Sequence, residues 1–148
     1  MMSKKIWILV LSMILLLTGC GYSKPETHSL MGLNINSITT VCGTDCTMEN
    51  IEISSNKESA NATYHYVNVA EDKGIYDAET YHEYLKNLSC CVRIDDFDEK
   101  KGVFCAYLRV TEKINEGFMI QVSFTKDTYT VHIQDNVTLI SKEKEQEK

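Results

Sequence analysis

Apolar residues recur along this chain with two different periods, and the change of period marks out the elements. From Asp77 to about Leu88, Tyr81, Tyr84, Leu85 and Leu88 fall at i, i+3, i+4 and i+7, which makes one apolar stripe on a helix. Asp77 can cap this helix, with Thr80 rather than a glutamate three residues on. His82, Glu83, Lys86 and Asn87 are left for its wet face. Further along the period becomes two. Phe118, Ile120, Val122 and Phe124 alternate with Met119, Gln121, Ser123 and Thr125, which predicts a strand with one buried face. Lys126-Asp127 makes a tight connection to a second strand, where Tyr129, Val131 and Ile133 alternate with Thr130, His132 and Gln134. Upstream, Phe104, Ala106, Leu108 and Val110 alternate with Val103, Cys105, Tyr107 and Arg109, and Asn115-Glu116-Gly117 turns that strand into the next.

These three strands form a meander with one apolar face. Cys91–Phe97 adds a strand that turns through Asp98–Gly102, while Ala62–Val69 and Glu49–Ser54 are further β-rich stretches. Val137–Ile140 reads as a last short strand. Strands on both sides of a single amphipathic helix predict an α+β fold in two layers, an antiparallel meander sheet packed against one helix. One helix covers only part of such a sheet, so the N-terminal segment would have to fold over the remaining apolar face.

The N-terminus breaks both periods. Lys4 and Lys5 precede twelve unbroken apolar or small residues, Ile6 to Leu17, and twelve helical residues span about 18 Å, short of a ~30 Å hydrocarbon core. A cleavable signal fits this pattern better than a permanent membrane helix. It ends in Leu17-Thr18-Gly19-Cys20, which resembles the lipobox of bacterial membrane lipoproteins. In that family the cysteine thiol carries a diacylglycerol and becomes the first residue of the mature protein. The resemblance implies a lipid (palmitate-type) anchor on Cys20 and a place on the extracytoplasmic face of the cell membrane. The order of helix and meander is also similar to small uncharacterised lipoproteins of Gram-positive bacteria, a likeness of pattern that assigns no activity. Residues 1–19 are then the signal peptide and 20–34 the lipidated cysteine with its tether. Residues 35–140 form the single domain, and 141–148 a charged, solvated tail.

Composition narrows the function classes. The 148 residues are 43% hydrophobic and 24% charged, with formal charge −6, as in an ordinary globular chain. Without Lys4 and Lys5 the balance becomes −8 (13 basic against 21 acidic residues), which gives no general attraction for nucleic acid or an anionic membrane surface. The length is too small for a two-lobed solute-binding subunit. No serine-hydrolase elbow, zinc-protease helix, P-loop or dinucleotide fingerprint occurs.

Candidate chemistry is sparse. Apart from Cys20, the cysteines are Cys42, Cys46, Cys90, Cys91 and Cys105, an odd set that allows at most two internal bridges. A bridge within Cys42-Gly-Thr-Asp-Cys46 is one expectation, and one from Cys105 to Cys90 or Cys91 another. Cys42 and Cys46 could alternatively serve a thiol- or metal-handling factor, although the three-residue spacer suits neither a thioredoxin-like motif nor a full zinc set. Asp95–Glu99 is acidic, but an EF-hand begun at Asp96 would put Lys100 and Lys101 at its fifth and sixth places and Tyr107 at its twelfth. A charged hairpin is the better account. His28 falls in the tether and His82 on the wet face of the helix. His132 shares a predicted strand face with Tyr107, Arg109 and Gln121, a set that could bind a small polar ligand or be the solvent side of the sheet. The sequence therefore predicts a lipid-anchored, non-enzymatic binding or envelope-associated module with no cofactor and no metal.

Overall fold

The structure is a computed structural model that describes residues 23–109 and 116–139. The lipobox, the turn at residue 115 and the charged tail lie outside the described residues. Among the described residues, eight strands and two α-helices follow one another as β1 (Thr27–Leu30), β2 (Leu33–Asn36), α1 (Ile38–Cys42), β3 (Thr47–Ser55), β4 (Ala60–Val67), α2 (Gly74–Lys86), β5 (Cys91–Ile94), β6 (Val103–Leu108), β7 (Glu116–Phe124) and β8 (Tyr129–Thr138). A 3-10 turn, Ala70–Asp72, precedes α2. Strands β3 to β8 make a six-stranded antiparallel sheet in the order β3-β4-β8-β7-β6-β5, while β1 and β2 form a separate hairpin.

The α+β class holds: one antiparallel sheet, one main helix on its apolar face. The alternation in each strand decides which residues face the helix. Ala62, Tyr64 and Tyr66 of β4, Phe104, Ala106 and Leu108 of β6, Phe118, Ile120 and Val122 of β7, and Tyr129, Val131 and Ile133 of β8 are all buried. From the helix they meet Ala78, Tyr81 and Leu85, each at 0% exposure. Burying a leucine or phenylalanine stabilises by roughly 1.5–3 kcal/mol, so this layer dominates the fold. Phe97, between β5 and β6, stacks on Phe124 with ring centroids 5.2 Å apart and extends the core towards the sheet edge.

Several local expectations are corrected. The helix begins at Gly74, one turn before Asp77, so Asp77 is an interior residue rather than a cap. The start is fixed by close backbone packing. The Gly74 N–H donates to the Lys126 carbonyl at 2.8 Å, and a Cβ at Gly74 would run into Thr125 O and Lys126. His82 is also not on a wet face: it is buried, stands edge-on to Phe104 with centroids 4.9 Å apart, and its Nε2 donates to the Asp95 carbonyl at 2.8 Å. β5 and its following loop pass beside α2 and cover this side of it. Of the strand expected over Val137–Ile140, Val137 and Thr138 are instead the end of a longer β8, and Ile140 lies outside the described residues.

The largest correction concerns the segment expected to be tether. From Thr27 onward it is the β1–β2 hairpin, which leads into α1 and lies on the same side of the sheet as α2. Met31 and Gly32 form its turn, both with positive φ. Leu30, Leu33, Ile35 and Ile38 are buried there and supply the apolar cover that one helix cannot. Ser37 caps α1, its hydroxyl accepting from Thr40 N at 3.1 Å, and Gly43 closes the helix in the left-handed region.

Candidate functional site

Because strand residues alternate, the side of the sheet away from α2 carries the other half of each strand. It bears no second layer among the described residues, and its side chains line up in rows by register. One row runs Cys105, Gln121, His132, Thr63 and Glu52. Its neighbour runs Val103, Ser123, Thr130, His65 and Asn50, and the row on the other side Arg93, Tyr107, Met119, Gln134, Asn61 and Ser54. Most of these residues are half-buried by one another, not by a covering element.

Three of the four residues singled out for a ligand face lie on this surface. Gln121 stands directly between Cys105 and His132, and Tyr107 lies two residues from Cys105 on the same strand. Arg109, by contrast, follows the end of β6, and its N–H donates to the Cys90 carbonyl at 2.8 Å. The guanidinium beside Tyr107 belongs to Arg93 of β5, which lies 4.0 Å above the ring centroid in a cation–π contact. Thr63 and His132 share a 2.8 Å hydrogen bond, and Thr130 and His65 a second of 3.0 Å. The sequence reading missed Thr63, His65 and Arg93. The signal was present for the first two, since Ala62, Tyr64 and Tyr66 pointing inward forces Thr63 and His65 outward.

The five described cysteines are free thiols. Register explains why the expected bridge to Cys105 does not form. Cys91 pairs with Leu108, and Cys105 is three residues further along β6, about 10 Å at strand rise and beyond disulfide reach. Cys90 is further still, joined through its carbonyl to Arg109. The expected Cys42–Cys46 bridge is likewise unformed, and each thiol makes a hydrogen bond elsewhere. Cys42 Sγ donates to the Asp77 carbonyl at 3.3 Å, and the Tyr129 hydroxyl donates to Cys46 Sγ at 3.7 Å. Burial pushes the Cys42 thiol up to about 12, with Asp77 and Cys46 adding to the shift. Burial also raises Cys46, Cys91 and Cys105. None of these four thiols is activated towards thiolate at neutral pH.

Beside Cys42 lies Asp77, whose Oδ1 accepts from the Thr44 hydroxyl at 2.9 Å while its buried Oδ2 has no hydrogen-bond partner. Burial raises its pKa, with Thr44 and Lys73 acting the other way. Among the described residues, no three His, Cys, Asp or Glu side chains come together as metal ligands. Within the acidic segment Asp95–Glu99, two carboxylates bind backbone N–H groups. Asp95 Oδ2 accepts from Cys105 N at 3.0 Å, and Asp98 Oδ1 from Lys100 N at 2.9 Å, which shapes the hairpin that Gly102 closes with φ +64°.

A second polar cluster was invisible in the sequence. His28 of β1 is fully buried among Tyr64, Tyr66 and Tyr81. The Tyr81 hydroxyl donates its proton to the Asn36 carbonyl at 2.9 Å, so His28 Nδ1 must be the donor in the 3.3 Å contact to that same hydroxyl. His28 Nε2 is then the acceptor, and the Tyr66 hydroxyl donates to it at 2.8 Å. Burial lowers the His28 pKa to about 3, so the ring is neutral. Tyr64 and Tyr84 add bonds to Ser29 and Asn36 of the same hairpin. The tyrosines thus clasp the N-terminal hairpin to the sheet and the helix, and the cluster is structural.

Among the described residues, no helix is long and apolar enough to cross a membrane. No family model matches the chain, and no curated protein matches it.

Proposed function

We propose that this chain is a lipid-anchored extracytoplasmic protein whose open sheet face binds a polar polymer of the cell envelope without catalysing a reaction. The observation that carries the binding half is that face. Hydroxyl, imidazole, amide and aromatic groups stand in register across five strands, held by cross-strand hydrogen bonds and by Arg93 over Tyr107. A rigid, half-buried polar surface of this kind presents donors and acceptors at the ~4.8 Å strand spacing, which suits a repeating polar ligand. The location half rests on Leu17-Thr18-Gly19-Cys20 at the end of its apolar run, and attachment there would hold the domain at the membrane through two or more acyl chains. The raised Cys42 and Cys46 thiols speak against a role in thiol exchange.

The test has two arms. Cells fed a labelled fatty acid should label the wild-type chain, while Cys20→Ala should accumulate as an unlabelled precursor. Equal labelling of both would remove the anchor. Detergent-solubilised protein should co-sediment with insoluble wall material, and a variant combining Tyr107→Ala, Gln121→Ala and His132→Ala should stay in the supernatant. If that variant sediments like wild type, the face is not the binding surface.

A further inference from the structure

The two edges of the six-stranded sheet are unlike. β5 has four residues and a bulge between Cys91 and Arg93, features that discourage further pairing. β3 has nine residues, no lysine and no proline, and beyond the bulge at Met48/Asn50 it pairs regularly with β4 from Asn50 to Ser55. Its outer side can be read from the hairpin turn. Asn56 N–H donates to the Ser59 carbonyl at 2.9 Å. Hydrogen-bonded and non-hydrogen-bonded pairs alternate in an antiparallel ladder, so Ser54, Glu52 and Asn50 direct their peptide groups to β4. The N–H and C=O groups of Ile51, Ile53 and Ser55 therefore point outward. Ile53 pairs with Ala62 on the core side of the sheet, yet it is 70% exposed, because the cover of helix and hairpin stops short of it.

We propose that this edge joins two copies of the chain: β3 pairs antiparallel with β3 of a second copy, with Ile53 opposite Ile53 of the partner subunit on the two-fold axis. The outward peptide groups allow only registers that join positions 51, 53 and 55 on both strands, and charge selects among them. A pair centred on Glu52 sets two carboxylates face to face. One centred on Ile51 runs into the bulge, and one centred on Ser54 parts the isoleucines and sets Ile51 against a lysine. The pair centred on Ile53 places Ile51 opposite Ser55 of the partner subunit and Glu52 opposite Ser54 of the partner subunit. It also brings exposed Glu49 within reach of Lys57 of the partner subunit, twice over by symmetry. The strand's own charges are complementary to themselves, which favours a second copy over a foreign strand.

Oxidative cross-linking of the full chain in fresh lysate tests this. Ile53→Cys should give a covalent dimer well above the wild-type background, because a two-fold hydrogen-bonded pair has Cα atoms about 5.5 Å apart, within disulfide range. Ser54→Cys, which faces the other side of the sheet, should give only that background. Adding Glu49→Lys to Ile53→Cys should lower the yield roughly fivefold at low salt, through two reversed ion pairs. Adding Lys57→Glu as well should restore it. Background yield from Ile53→Cys overturns the proposal, as does equal yield from Ser54→Cys, or a yield that ignores Glu49→Lys or is not rescued by Lys57→Glu. Ile53 is largely solvent-exposed, so its replacement should leave the far-UV circular dichroism unchanged.

Discussion

Acidification should loosen this domain through a single residue. His28 has its pKa lowered from 6.5 to about 3 by burial, and only tyrosine rings and hydroxyls face it. Between those two values the unfolded chain binds a proton that the folded chain refuses, so stability falls as pH falls. Above about pH 6.5 the penalty is absent. At pH 5 the gap is about 1.5 units, and at roughly 1.4 kcal/mol per unit the domain loses about 2 kcal/mol relative to pH 7. The full loss, reached only below pH 3, is about 5 kcal/mol. Asp77 has the opposite sign: its raised pKa stabilises the fold as pH drops towards the carboxylate range, so the comparison belongs at pH 5 and above. The assay is urea unfolding followed by far-UV circular dichroism at pH 7 and pH 5. Fluorescence is less suited, because the one tryptophan, Trp7, lies outside the described domain. His28→Gln keeps a donor and an acceptor but cannot titrate, while His65, His82 and His132 are common to both proteins and drop out of the difference. Wild type should lose about 2 kcal/mol more than His28→Gln between the two pH values. Equal losses, within ~0.5 kcal/mol, would refute the assignment of the buried neutral ring.

Other consequences can be measured on the same protein. Leu85→Ala removes a fully buried side chain between helix and sheet and should cost ~2–5 kcal/mol in urea unfolding; under ~0.5 kcal/mol would mean the helix face is reversed. Gly74→Ala forces a Cβ against the Thr125 and Lys126 backbone, so it should destabilise by at least ~1–3 kcal/mol, despite alanine's better helix propensity. Cys42 should react with iodoacetamide at pH 8 only after denaturant is added, and rapid labelling of the native protein would contradict its raised pKa.

Period-two alternation survives in a single sequence because each strand is buried on one face only. That is why the meander, its inward residues and the helical stripe were legible from Tyr81, Leu85, Ile120 and Val131 alone. The boundaries that failed were set by tertiary partners. The helix starts at Gly74 because the β7–β8 turn lies against its backbone, and nothing local announces that contact. His82 is covered by β5 and Phe97, which arrive from later in the chain. His28 looked like a tether residue because its partners, Tyr66 and Tyr81, are 38 and 53 positions away. The open face was half legible: alternation named Tyr107, Gln121 and His132 and would also have turned Thr63 and His65 outward, but cross-strand register was needed to set these beside His132 and Thr130 and to put Arg93 in the place given to Arg109. The bridge to Cys105 failed for the same reason, since spacing in sequence says nothing of how far β5 slides along β6.

With the proposed anchor at Cys20, the folded hairpin at Thr27 would also set the length of a leash. From Cys20 to Thr27 there are seven residue steps, at most about 25 Å when fully extended. A compact domain of this size has a radius of gyration near 13 Å, hence a diameter of about 34 Å, so such a leash would be shorter than the body is wide. With an anchor at Cys20 the domain would ride on the bilayer surface like a moored float, free to swivel but unable to probe far outward. Whatever its open face takes up would then have to approach the membrane itself. Deleting residues from the leash should cost little capture, whereas lengthening it should let the face work at depths the native protein never samples.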